Sequence, residues 1–472
     1  MDGRGQAETD FDRARHLADR LILGVALVML VRLFIVQVYH IPSNSMLPVL
    51  AGPTYRATCP SCAFTSCKDS WVDPSRCPNC RQIIPNALGH PVAGDHVGVI
   101  KSDPALLRRF DVVAFKSPEE PRTMLVKRIV GLPGETIRVA QGEIERRDPS
   151  SDQFEVCRKR AEQILQGARV IYDDRFRWPA GPPRWQSSEN GWLPIEQGYQ
   201  LLKQEATLTY VHLGRSGQET TIDDDEPFQQ ADTPTSPVHD LILDFTWNPH
   251  DNASVVTLEL SSVVDHGTIV IRNESMELIA QSLPQGKIVV SAGTQAGRWR
   301  IGFVDRSWLV WKEERLLGHW AIPTNPNLSK TYAQNEAGVR IRGLGIGSVI
   351  TDLVLSRDVH YRTYAWGDDI RAKDDPLLGT SATTWSLGPD EYLTFGDFAA
   401  RSRDSRHWPK GHAVPGQLIV GTVLGRLSFA EGPSVSRIVR SPETVGKPPG
   451  DRPKDQRAWP MARQEETLDP PR

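Results

Sequence analysis

The chain is poor in cysteine and almost balanced in charge, with six cysteines among 472 residues and a formal net charge of −3. So few cysteines in so long a chain exclude a small scaffold stapled by disulfides. So even a balance excludes a chain held to nucleic acid by a global basic excess, and equally one kept unfolded by an acidic excess. After residue 39 no second apolar run reaches membrane length, so at most a single span is expected. Glycine (37) and proline (36) are too sparse for a collagen-like or low-complexity chain but predict many turns. Apolar residues make up 39% of the chain, which is material for about three domains with real cores.

The one long apolar run is Leu21 to Tyr39, LILGVALVMLVRLFIVQVY, broken by Arg32 and Gln37. Its length predicts a membrane-spanning helix over residues 19–39, retained because no small-residue cleavage pattern follows it. Arg32 costs roughly 2–3 kcal/mol if held mid-membrane, unless it snorkels toward the interface. Arg13, Arg15 and Arg20 precede the run, so residues 1–18 are expected on the cytoplasmic side and the remainder on the outer, periplasmic face.

Three later segments carry chemistry. The first, Ile41 to Pro48, reads IPSNSMLP. The second, MLVKRIVGLPGETIRV from Met124 to Val139, follows RRFDVVAFK and reads as strand, turn, strand, which places Lys127 on a β-hairpin. Alternation puts Lys127 on a face with Leu125 and Ile129, a surround that lowers a lysine pKa by desolvation. Alternation alone does not choose between Lys127 and Arg128, since both have apolar next-but-one neighbours. The third segment, YLTFGDFAARSRDSRHW, spans Tyr392 to Trp408.

In this order the three segments resemble the nucleophile, lysine and G-D-N-x-x-x-S-x-D-S-R boxes of type I signal peptidases, membrane-anchored Ser/Lys proteases that trim secretory signal peptides. Gly396, Asp397, Ser402, Asp404, Ser405 and Arg406 keep the third spacing. The departures are Phe398 for a usual Asn, Ala399 for a common Arg, and Phe110 for the Gly that usually precedes the Asp of the GDVV run. The resemblance covers residues of about 20–58, 86–147 and 385–428, and it selects Lys127, since arginine cannot be deprotonated in proteins. It implies that Ser45 is the nucleophile, Lys127 the general base, Ser43 an oxyanion donor and Ser402 the hydroxyl that orients the lysine. Asp397, Asp404 and Arg406 are then structural supports. No cofactor serves catalysis, and the implied partners are preprotein signal peptides, the lipid bilayer and the export translocon, with no nucleic acid.

Between the first two boxes lie Cys59-Pro-Ser-Cys62 and Cys77-Pro-Asn-Cys80. Two such knuckles predict a ribbon over residues 59–80 closed by a structural zinc on four thiolates, with disulfides as the competing reading in an oxidising compartment. Cys67 and Cys157 are left over as free thiols. Residues 148–366 are too long for a loop; after the helical-looking FEVCRKRAEQILQ they alternate in LILDFTW (Leu241, Leu243, Phe245, Trp247) and VVTLEL (Val256, Leu258, Leu260). This predicts an antiparallel β-sandwich. The stretch around Asp305 and Trp308 to Trp311 resembles concanavalin-like or laminin-G-like jelly rolls, a resemblance that implies sugar or calcium binding in many such folds but leaves the ligand of this sandwich unknown. The acidic run Asp223 to Glu226 is expected to be a solvated loop, and the thirteen tryptophans mostly core.

The expected architecture is mainly β: an N-terminal transmembrane helix, then a catalytic domain split into residues 40–58, 81–147 and 367–430, interrupted by the zinc ribbon and the jelly-roll sandwich. A proline- and charge-rich tail, residues 431–472, is expected to be disordered. Two rival functions stand beside the protease: an inactive membrane-anchored binding module, and a self-cleaving regulator of the LexA type, against which the apolar helix and the lack of a DNA-binding helix pair both argue.

Overall fold

Strands dominate the computed structural model, which describes residues 3–438 except 35, 69–74, 86–87, 215, 225–236, 263–264, 284, 323–337, 363–383, 400–401, 407, 409–411 and 429–433. The expected span over 19–39 is corrected. The helix is Gly3–Phe34, and Val36–His40 is a strand paired with His96–Lys101. The apolar helical stretch from Leu21 to Phe34 covers only about 21 Å at 1.5 Å per residue, short of the ~30 Å hydrocarbon core, and it contains Arg32 and follows Asp19-Arg20. Among the described residues no helix is long and apolar enough to cross a membrane. The side chains of Leu21, Ile22, Leu23, Leu27, Val28 and Met29 are nonetheless bare.

The part of the chain outside the sandwich is built on one large sheet in the order Val36–His40, His96–Lys101, Ile419–Ser428, Val112–Lys116, Met124–Gly131, Glu391–Phe395 and Val414–Pro415. Val112 to Phe115 is buried on both faces, as a β-branched and aromatic run in a central strand should be. Val112 and Ala114 join a cluster with Met46 and Leu50. Val113 and Phe115 join another with Ile129 and Trp408. The segment that carries Ser45 is thereby laid against the sheet through Met46 and Leu50. The long strand Ile419–Ser428 runs between His96–Lys101 and Val112–Lys116, and Ser434–Arg437, expected in the disordered tail, pairs with it; the tail from 439 on lies outside the described residues.

Residues 169–358 supply two antiparallel sheets that share one core, in which Leu241, Leu243, Phe245 and Trp247 of one meet Val256, Leu258 and Leu260 of the other. Ile242 points the other way, under the helix Ala161–Gly167. The expected helix over FEVCRKRAEQILQ is therefore only its second half, since Phe154–Val156 is a strand. Trp185, Trp192, Trp299 and Trp308 are buried as expected. The solvated-loop expectation for the acidic run fails at Asp224, which is buried and ion-paired with Arg362; Asp225 and Glu226 lie outside the described residues. At the junction between the sandwich and the rest of the chain, Lys159 contacts Asp305 at 2.5 Å and Asp358 at 3.0 Å, all three buried. Burial alone favours a neutral amine, but Asp305 and Asp358 hold the Lys159 ammonium charged.

Candidate active site

The loop bearing Ser45 is held in place by its own hydrogen bonds. The buried Asn44 side chain accepts from the Gly52 amide at 2.8 Å and donates to the Pro53 carbonyl at 2.8 Å. The Asp95 carboxylate accepts from the Ala51 amide at 2.8 Å, and its backbone pairs with Ile41 and Ala51. A side chain at Gly52 would strike the Ser43 backbone at 2.6–2.8 Å, so only glycine permits this approach. Asn44, Gly52 and Asp95 escaped the sequence reading. Asn44, a polar residue set between two serines at the head of an apolar segment, was the available signal.

Lys127 and Arg128 lie on the strand Met124–Gly131, which forms its hairpin with the preceding strand Val112–Lys116. The Leu-Pro-Gly turn instead leads into Thr136–Ala140, a strand of a different sheet. Lys127 stands opposite Val113 and Arg128 opposite Val112. Both are only 3% exposed, so alternation indeed could not rank them. Their partners separate them. Arg128 forms a two-pronged bond with the buried Asp397 carboxylate at 2.6 Å and donates to the Phe110 carbonyl. The Lys127 ammonium nitrogen meets the Ser45 hydroxyl within hydrogen-bond reach. Burial lowers the Lys127 pKa to about 8, with Asp404 opposing the fall and Arg406 adding to it.

The third segment wraps the back of this pair. The Phe398 amide donates to the Ser45 carbonyl at 3.0 Å. Gly396 is packed so closely that a Cβ there would lie 2.4 Å from that carbonyl and 2.3 Å from the Ser402 hydroxyl. Ser402 is thus buried beside the Ser45 backbone. Asp404 accepts from the Gly396 amide at 2.9 Å and pairs with Arg406 at 2.6 Å. Burial works against ionising Asp404, but Arg406 outweighs it and holds the carboxyl below its usual range. Ser43 is exposed, its hydroxyl 3.4 Å from that of Ser45. Phe110 has φ of 68°, a left-handed conformation that glycine adopts at least cost. Chemically, the arrangement offers a hydroxyl nucleophile beside an amine that loses its proton near neutral pH.

The four knuckle cysteines converge, their sulfurs all within 4.8 Å of one another, with Cys59 to Cys80 and Cys62 to Cys77 each at 3.6 Å. Each knuckle turns the same way: Ala63 (φ 60°) donates its amide to the Cys59 carbonyl, and Arg81 (φ 67°) to that of Cys77. The spacing suits a tetrahedral four-thiolate cation, whose sulfurs stand about 3.8 Å apart for Zn–S bonds of about 2.3 Å. None of the six cysteines is in a disulfide, Cys67 and Cys157 included. The ribbon is pinned to the sandwich by Asn79, which exchanges hydrogen bonds with the backbone of Asp173 at 2.7 and 3.0 Å.

No curated protein matches the chain. Among solved structures it is similar to the apo Crh5 transglycosylase (10% identity, 42% of this chain and 86% of that one, TM-score 0.27). It is similar also to the Bacillus licheniformis β-glucanase (9% identity, 41% and 98%, TM-score 0.25), and to a glycosyl hydrolase family 16 protein from Mycobacterium smegmatis (12% identity, 40% and 100%, TM-score 0.24). Residues 14–163, which contain Ser45, Lys127 and the four-cysteine cluster, match the family model of signal peptidase, peptidase S26, a match that supports a peptidase in this part of the chain.

Proposed function

We propose that this protein is a signal peptidase of the Ser/Lys type, cutting preproteins at the outer face of the cytoplasmic membrane. The observation that carries the reading is the buried contact between the Lys127 amine and the Ser45 hydroxyl. In the neutral form Lys127 takes the Ser45 proton as Oγ attacks the scissile carbonyl. It then returns that proton to the leaving amine, and the acyl-enzyme is cleared by a water that Lys127 activates. The Ser45 amide and the Ser43 hydroxyl face the developing oxyanion, so Ser43→Ala costs about 10²–10³ in rate without abolishing it. Ser402 positions the amine, while Asp397, Asp404 and Arg406 hold the loop that seats Ser45. The substrate lies along the sheet as an extended strand with small residues before the cut.

The uncovered leucines and isoleucine of the N-terminal helix give the chain a surface for the bilayer, where signal peptides are presented and the export translocon is near. Cys59, Cys62, Cys77 and Cys80 hold a structural zinc, a closed site that adds folding energy and no reacting position. The test is cleavage of a signal-peptide substrate by the purified full chain, with Ser45→Ala and Lys127→Ala alongside. Cleavage by the wild type alone supports the reading. An intact substrate in all three replaces it with the binding module.

A further inference from the structure

Arg169 begins the strand Arg169–Asp173, which is paired with Val349–Arg357 and so belongs to the inserted sandwich. Its side chain leaves that domain and ends at the candidate active site. It is 4% exposed, and one guanidinium nitrogen donates to two backbone carbonyls, of Leu47 at 2.5 Å and of Asp397 at 2.6 Å. The first carbonyl lies two residues beyond Ser45. The second immediately precedes Phe398, whose amide holds the Ser45 carbonyl at 3.0 Å. These contacts close a ring from Ser45 through Leu47, Arg169, Asp397 and Phe398 back to Ser45. The Phe398 ring supports it, packed on Leu47 with its centroid 5.0 Å from the guanidinium carbon.

We propose that Arg169 is a positioning residue, through which the inserted sandwich sets the place of Ser45 relative to Lys127. A guanidinium suits the task because the two N–H groups of a single planar nitrogen hold the two carbonyls at a fixed angle. Burial, with Arg357 nearby, works against the charge at this position, a local cost of the kind found where a site rather than a core is being built. The same ring accounts for Phe398: an aromatic at that position covers the guanidinium that the insertion brings in. The proposal rests on the Ser/Lys reading above for its catalytic consequence, but not for the tie itself.

The experiment compares wild type, Arg169→Met and Arg169→Lys as full chains, by hydrogen exchange at the Phe398 and Leu243 amides and by kcat and KM on a signal-peptide substrate. In Arg169→Met the Phe398 amide exchanges at least about tenfold faster while Leu243, deep in the sandwich, is unchanged. Its kcat falls about 10²-fold, the scale of a 1 Å misplacement of reacting groups, with KM nearly constant. Arg169→Lys, which keeps the charge and donors without the planar nitrogen that fixes their angle, is intermediate on both measures; should Arg169→Met fail to fold, it carries the comparison alone. Unchanged kcat with an active wild type overturns the proposal, as does acceleration at Leu243 equal to that at Phe398, which would make Arg169 merely structural. If the wild type does not cleave, the Ser/Lys reading is lost, and the Phe398 exchange still decides whether Arg169 ties the two loops.

Discussion

Lys127→Met tests the physical basis of the base directly. The lysine pKa is lowered from 10.5 to about 8 because its ammonium is buried. Between those values the unfolded chain binds a proton at this site that the folded chain does not, so folded-state stability rises with pH across the window. Full stability is present above 10.5 and is lost as the pH falls through about 8. A shift of this size corresponds to about 3 kcal/mol. The difference in unfolding free energy between Lys127→Met and wild type should therefore shrink by about 3 kcal/mol from pH 7 to pH 10.5 in the variant's disfavour, other titrations cancelling between the two. Urea denaturation followed by circular dichroism at several pH values measures this. The same group sets the rate: at pH 7 about one molecule in ten carries the neutral amine, so kcat/KM rises tenfold per pH unit and levels off above about 8. A flat difference in stability together with a flat rate profile refutes the desolvated-base argument.

Ser45→Ala and Lys127→Ala should each remove cleavage, and the double variant should be no worse than either, because groups acting as one unit are not additive; a further loss in the double variant separates their roles. The purified protein should carry close to one zinc per chain by elemental analysis, and a chelator should release the ribbon, read as faster exchange at the Ala63 and Arg81 amides that close the two knuckles. Metal-free protein with those amides protected contradicts the zinc reading and leaves the dyad untouched. Lys159→Met strips the partner from Asp305 and Asp358 and should lower the unfolding free energy by about 3–5 kcal/mol, measured by urea midpoint.

Much of the candidate site could be read from the chain because its residues fall in short runs with fixed spacing. In the structure the Ser45 hydroxyl lies near the Ser43 hydroxyl and the Lys127 amine, Ser402 is close to the Ser45 backbone, and the four knuckle sulfurs lie within 4.8 Å of one another. What could not be read is long-range. Arg169 lies 122 positions from Leu47 and 228 from Asp397, and nothing in its local pattern marks an arginine that leaves its own sheet. Arg128 looked interchangeable with Lys127 because alternation reports faces, whereas the distinction is made by Asp397, far along the chain. The N-terminal run misled for the opposite reason. Its hydrophobicity was continuous, but Val36 and Val38 are β-branched and found a strand partner in His96–Lys101, which cut the helix at Phe34. Asp224 was misjudged because its neighbours in sequence are acidic, while its neighbour in space is Arg362.

The most direct measurement is the mass of the intact chain, quenched during turnover of a signal-peptide ester and then digested to locate any adduct. The Ser/Lys account predicts one acyl group on the peptide containing Ser45, absent in Ser45→Ala. Product formation with no adduct on Ser45, or with the adduct on another residue, contradicts it.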